Sequence, residues 1–316
     1  MSSEQALKQL RQKTDTIRQQ LHNVILGQND VVAQVLITVL SGGHGLLIGV
    51  PGLGKTLLVR CLARVLGLQT QRIQCTPDLM PSDILGTEIL DQKDATKPFR
   101  FIKGPIFSQL LMVDEINRAN PRTQSALLQA MEEKTVSIAG ETFDLPSPFH
   151  VLATQNPLEH EGTYPLPEAQ LDRFLMAIPM DMPERADEKR ILIDEPQRQE
   201  NSLKAVTNAQ ELITMQETIR TMAVGESLID DIVDFLRRLR PQPEQESDVL
   251  WGPGPRGGQA LLATAKAKAA MEGRLAPSWD DVQACTFSVL NHRIAPSFAA
   301  QAQNINEKTI IHKAMG

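Results

Sequence analysis

Eight consecutive residues, Gly49-Val50-Pro51-Gly52-Leu53-Gly54-Lys55-Thr56, carry the pattern G-x-x-x-x-G-K-[ST] between the apolar run Leu46-Leu47-Ile48 and the amphipathic stretch Leu57-Leu58-Val59-Arg60-Cys61-Leu62. That order predicts a strand, a phosphate loop and a helix. Glycines open backbone conformations closed to larger residues, so the N–H groups from Gly52 to Lys55 can converge on one polyanion at a helix N-terminus. The expected nucleotide-binding set is Gly49, Val50, Pro51, Gly52, Leu53, Gly54, Lys55, Thr56 and Leu57. Within it, Lys55 would reach the β- and γ-phosphates and Thr56 would ligate Mg²⁺.

A second run, Leu110-Leu111-Met112-Val113-Asp114-Glu115, reads as a buried strand ending in two adjacent carboxylates. In a parallel sheet such an end faces the ligand crevice. Asp114 would hold Mg²⁺ through its waters, and Glu115 would orient and deprotonate an attacking water. Phosphoryl transfer asks mainly for positioning and charge stabilisation, so one cation, one metal and one base suffice within a subunit. Taken alone, the pair could equally be an acidic strand end that caps the next helix. The phosphate loop upstream favours the chemical reading.

The elements that must position these groups alternate. Short apolar or β-branched runs at 72–75, 110–113, 151–154 and 174–178 are separated by helical patterns such as Pro121 to Glu133, which predicts a doubly wound, mainly parallel sheet. Residues 5–22, with Leu7, Leu10, Ile17 and Leu21 at helical spacing, form an amphipathic leader helix, and Val31 to Ser41 forms the next. Past Met182-Pro183-Glu184 the strand-like runs stop. Helical patterns follow at 211–222, 228–239, 258–271 and, behind the cap Ser278-Trp279-Asp280-Asp281, at 282–290. The division expected is an α/β nucleotide-binding domain over 1–184 and a small all-α lid over 185–316. Two β-hairpins interrupt the first domain, one near 87–102 around a polar turn and one over 135–145 around Ala139-Gly140.

With 316 residues, 41% of them hydrophobic, the chain can bury two such cores. The 32 basic residues against 38 acidic ones leave a net charge of −6, which offers no general attraction to nucleic acid. Cys61, Cys75 and Cys285 stand singly, without C-x-x-C spacing, and read as reduced thiols of a cytoplasmic protein. The first twenty residues are polar and helical, unlike an export signal. The longest apolar stretch, Val31 to Leu40, is half a membrane span, so no direct membrane insertion is expected.

Beyond the phosphate loop, longer runs resemble one family. Asp114-Glu115-Ile116-Asn117-Arg118-Ala119, the stretch 72–84, Gly104-Pro105-Ile106-Phe107, the stretch 125–133, Ala153-Thr154-Gln155-Asn156-Pro157 and the stretch 161–174 are similar, in this order, to the MoxR family of AAA+ ATPases. The similarity covers most of 24–184, whereas the lid resembles the family only at Pro255-Arg256 and in its helical layout. Two departures are visible: Gly54 stands where the family often has alanine, and the turn 252–258 is richer in glycine, which loosens the placement of Arg256.

The resemblance implies an ATPase using ATP and Mg²⁺ on a P-loop AAA+ module with a helical lid. It implies that Asn156 is a sensor assisting Glu115, where the plain alternative is an asparagine turn before Pro157. Arg173 would be an arginine finger for the neighbouring subunit, or otherwise an ion-pair partner of Glu168 or Asp172. Arg256 would be the lid's sensor arginine, in cis or in trans, or a simple helix-start residue. Arg118 either touches a neighbour or caps the helix after Asn120-Pro121. In rings of similar layout such hairpins lie towards the pore or an axial face. The implied assembly is a homo-oligomer, a hexameric ring, that remodels or matures a partner protein or metalloenzyme complex, the partner class including proteins with von Willebrand A domains. Alternatives are a magnesium-chelatase-like motor subunit, a nucleic-acid motor and a non-hydrolysing ATP-gated scaffold. The acidic balance, the single tyrosine and the lack of a DNA-binding module oppose the nucleic-acid motor. Glu115, Asn156 and Arg173 together oppose the scaffold.

Overall fold

The computed structural model describes residues 3–90, 99–159, 162–194, 200–241 and 247–315. Eleven strands occur in it: β1 (Gly45–Ile48), β2 (Thr70–Gln74), β3 (Gly86–Leu90), β4 (Phe99–Lys103), β5 (Leu110–Asp114), β6 (Thr135–Ile138), β7 (Glu141–Asp144), β8 (His150–Gln155), β9 (Met176–Pro179), β10 (Val249–Trp251) and β11 (Ala295–Pro296). Five of them form the central sheet in the order β2-β5-β8-β1-β9, every pair parallel. The chemistry-bearing strand ends therefore share one edge, the C-terminal one, as expected for a doubly wound sheet.

Both faces of the sheet are covered, which is why its central strands read as continuous apolar runs. Leu47, Met112, Leu152 and Ile178 point to one side, and Leu46, Val113, Ala153 and Ala177 to the other. The second side is closed by the helix Pro121–Glu133, whose start is fixed by Asn120 accepting from the Thr123 N–H at 3.1 Å and by proline in its first turn. The first side meets the helices Asn29–Leu40 and Lys55–Leu66 and runs on into the C-terminal helices Ala209–Arg220, Glu226–Arg238, Pro255–Met271 and Trp279–Leu290. The last of these starts at the capping box seen in the sequence, with the Ser278 N–H on Asp281 at 2.8 Å.

The leader helix, Ser3–Val24, buries Leu7, Leu10, Thr14, Ile17 and Leu21. It packs on Lys55–Leu66 and also on Ala209–Arg220 and Pro255–Met271, tied by Lys13 to Glu211 at 2.6 Å. The leader thus bridges the two regions instead of belonging to one. The helical region also holds the antiparallel ribbon β10–β11, too short to leave a strand pattern in the sequence. Among the described residues no helix is long and apolar enough to cross a membrane.

The hairpins β3–β4 and β6–β7 are antiparallel, as expected. The turn of the first, and most of the proline-bearing loop after Arg240, lie outside the described residues. Ala139 and Gly140 turn the second with φ of 50° and 87°, the left-handed pair of a two-residue hairpin turn. Phe101 of β4 stacks on Phe143 of β7, ring centroids 4.5 Å apart and planes 26° from parallel, so the two hairpins form one body.

Candidate functional site

The phosphate loop joins β1 to Lys55–Leu66 at the C-terminal edge. Gly52 and Gly54 have φ of 91° and 79°, and a Cβ on either would meet nothing within 4 Å. Backbone conformation, not crowding, requires glycine there, and the loop encloses open space. At Gly49 crowding decides, since a Cβ would sit 2.9 Å from the Met180 carbonyl oxygen. Gly54 gives the helix no side-chain cap, so its first N–H groups are available to an anion. Lys55 turns its ammonium back onto the Gly49 carbonyl and onto that of Val50, the latter at 3.2 Å. Partial burial lowers its pKa, against the attraction of Asp114, Glu115 and Glu159.

Asp114 ends β5 as a buried carboxylate. Its Oδ1 accepts from the Thr154 hydroxyl at 2.8 Å, and its Oδ2 from Arg72 through Nη2 at 2.6 Å and Nε at 2.9 Å. The Thr56 hydroxyl lies 3.4 Å from that same Oδ2. Hydroxyl and carboxylate oxygens are hard donors that suit Mg²⁺ bound beside phosphates, so the residues present fit the ion. Glu115 stands in the left-handed region with φ 55° and ψ 53°, an uncommon conformation for a side chain of this kind. Its N–H donates to the Thr154 hydroxyl at 2.9 Å, while its Oε2 accepts from Gln74 at 2.8 Å and from Arg118 at 3.1 Å. The guanidinium of Arg118 therefore lies on the base candidate of its own chain.

Asn156 follows β8, which runs between β1 and β5, so it sits between the phosphate loop and Glu115. It is 4% exposed, and its Oδ1 accepts from the Leu158 N–H at 3.1 Å. Thr154, Arg72 and Gln74 were not among the expected site residues. The signal that could have found them is register: Gln74 pairs with Asp114, and Thr154 follows the pair Val113 and Ala153, so each is a polar residue at a strand end flanking the acidic pair.

A cleft of about 710 Å³ opens beside the loop, between the segment Val24–Gln28, Leu53 of the loop and Leu57 of the helix after it, and Met182 and Ile191. Its walls are mostly apolar and suit a planar heterocycle. Leu53 and Leu57 belong to the expected nucleotide set, whereas the Val24–Gln28 segment, Met182 and Ile191 do not, because they lie far from the loop in the chain.

Arg173 and Arg256 lie elsewhere. They share Glu132, with Arg173 Nη1 on Oε2 at 3.1 Å and Arg256 Nη2 on Oε1 at 2.5 Å. The expected ion partners of Arg173 were Glu168 and Asp172, but Asp172 instead receives Arg293 at 2.7 Å and, more distantly, Arg256 at 3.8 Å. Gly43 and His44 line the same hollow. β1 and β9 run in register from Gly45 beside Met176 to Ile48 beside Pro179. The arginines gather where these strands start and the phosphate loop where they end, a separation of at least about 10 Å along the strands.

Comparison with known proteins bears on family and fold. The model of the ATPase family associated with various cellular activities (AAA) matches residues 44–176, and that of the AAA lid domain matches 238–314. Chaperone MoxR1 of Mycobacterium tuberculosis is 40% identical, over 94% of this chain and 79% of that protein. The uncharacterized protein YeaC of Bacillus subtilis is also 40% identical, over 93% of this chain and 91% of its own. Protein MoxR of Paracoccus denitrificans is 32% identical over 87% and 86%. The solved structure of a candidate ATPase from Cytophaga hutchinsonii superposes with a TM-score of 0.91 at 36% identity, covering 99% of this chain and 96% of that one.

Proposed function

Because the chain belongs to the MoxR family of AAA+ ATPases, and is thus an ATP-hydrolysing enzyme, we propose that it assembles as a hexameric ring whose turnover remodels or matures a partner protein or metalloenzyme complex. A relative named as a chaperone supports a protein client. The family resemblance suggests a client with a von Willebrand A domain, and the cytoplasm as the place of action.

In this reading the N–H groups of Gly52 to Lys55 and the Lys55 ammonium bind the phosphates, and the apolar cleft beside Leu53 holds the base. Thr56 and Asp114 would hold Mg²⁺, which supplies charge neutralisation at the phosphate oxygens. Glu115 takes the proton of the attacking water, and Asn156 orients that water. Arg173 and Arg256 bring positive charge to the developing transition state.

One observation carries the ring. The two arginines sit together at the sheet edge opposite their own phosphate loop, which supports the reading that the site they complete is the neighbouring subunit's. The chemistry is tested by separating binding from turnover. Lys55→Ala should abolish measurable ATP affinity, whereas Glu115→Gln should retain ATP and lose steady-state hydrolysis. Wild-type turnover by Glu115→Gln would reject the assignment of the base.

A further inference from the structure

Arg72 has no role in the site described so far, yet its guanidinium rests on Asp114 through two donors. Both Nε and Nη2 fall on one oxygen of Asp114, Oδ2, while Oδ1 is taken by Thr154. A permanent arginine–carboxylate pair favours a fork on both oxygens. Here the guanidinium crowds onto the single oxygen that faces the Thr56 hydroxyl. That oxygen is the one the proposed metal site would use.

The two partners differ in what separation would cost them. The Asp114 side chain is 9% exposed and needs a cation or donors, whereas the Arg72 side chain is 52% exposed on the edge strand β2 and can return to water. A guanidinium so placed is retained only while nothing of higher charge competes. Arg72 is also wired onward: its Nη2 donates to the Gln74 side-chain oxygen Oε1 at 3.1 Å, and the Gln74 side-chain Nε2 donates to Glu115 Oε2 at 2.8 Å.

Resting on the ATP-site reading above, we propose that Arg72 is a displaceable counter-cation for Asp114. It holds the metal-facing oxygen in the nucleotide-free chain and is expelled when a divalent cation arrives with nucleotide, which also slackens Gln74 on Glu115. Arg72 is thus a positioning residue that links metal capture to release of the base. It lowers affinity for the ion and prevents the buried carboxylate from standing unpaired.

The test measures metal binding without hydrolysis. Mn²⁺ is titrated into the full chain with saturating ADP, and free Mn²⁺ is followed by electron paramagnetic resonance. Arg72→Gln removes the competing charge and should bind Mn²⁺ about tenfold more tightly than wild type, the effect of one unit charge near a dication in a water-like medium. Arg72→Lys, which keeps the charge but not the two-point contact, should fall between. Thermal melts give a second reading: Arg72→Gln should melt below wild type in EDTA without nucleotide, and the gap should close with Mn²⁺ and ADP. Equal or weaker Mn²⁺ affinity in both variants would overturn the proposal and leave Arg72 a fixed structural partner. Failure of the wild-type chain to bind ADP would instead overturn the ATP-site reading, so the two failures are distinguishable.

Discussion

Arg173→Ala tests whether each site is built by two subunits. Removing a cation that meets charge only in the transition state should leave ATP binding intact and lower turnover on the order of 10³-fold or more, as for arginine fingers elsewhere. The separation of the arginine cluster from its own phosphate loop, along β1 and β9, makes a stronger demand. An Arg173→Ala subunit still owns Glu115, and a Glu115→Gln subunit still owns Arg173. Mixed at equal amounts in randomly exchanging rings, about one interface in four joins an intact base to an intact finger. Two inactive proteins should therefore recover about a quarter of the wild-type rate per site, with less at skewed ratios. Phosphate release is the assay, and native mass spectrometry confirms that rings have mixed. Mixed rings without any recovered hydrolysis would refute the shared site and return Arg173 to a purely structural pairing with Glu132.

Three further outcomes follow from packing and charge. Burial holds His44 down at about 3 and His150 at about 4, and both are kept neutral by N–H donors, the Val151 amide on His44 and the Gln216 amide on His150. Their folded pKa values lie below the unfolded 6.5, so stability is full above that pH and falls as pH drops towards 3, by about 2 kcal/mol per histidine at pH 5. Denaturant midpoints at pH 7 and pH 5 should differ accordingly, and less so in His150→Gln. Arg293 is 2% exposed and serves Asp172 and the carbonyls of Phe174, Leu175 and Val289. Arg293→Ala should lose about 3 kcal/mol in urea unfolding, because the buried guanidinium's contacts to the partly exposed Asp172 carboxylate and to the surrounding carbonyls are all removed at once; a loss below 1 kcal/mol or so would mean water replaces it freely. Ala139→Asn places the favoured Asn-Gly pair in the left-handed turn of β6–β7 and should raise the unfolding midpoint, worth about 0.5 kcal/mol.

The phosphate loop and the acidic pair were legible because each is local: one turn, one helix start and one strand end suffice to define them. The same holds for Pro121–Glu133 and Trp279–Leu290, whose caps are written in adjacent residues. Contacts set by strand order were not legible. Arg72, Gln74 and Thr154 reach Asp114 and Glu115 because β2 and β8 flank β5, and nothing local announces that order. β2 itself was expected from Arg72 to Cys75 but spans Thr70–Gln74, since an exposed edge strand carries polar residues where a central one would be apolar. Glu132 was missed as the holder of Arg173 and Arg256 because the three come from a helix end, a turn and the first turn of a later helix, far apart in the chain.

The stack of Phe101 on Phe143 joins two hairpins with different roots. One root, through the helix Pro81–Leu85, leads back to β2 and thus to Arg72 and Gln74 beside the chain's own nucleotide loop. The other begins at Thr135, just past Glu132, which clasps Arg173 and Arg256, the arginines proposed to serve the next site. In the ring proposed above, a flap anchored in this way would be tilted by two inputs at once. On that reading it would work as a differential gauge, answering to the phase difference between successive sites and not to the occupancy of either alone. Identical nucleotide states on both sides would load the two roots alike, and mechanical output would then appear only where the cycle changes from one subunit to the next.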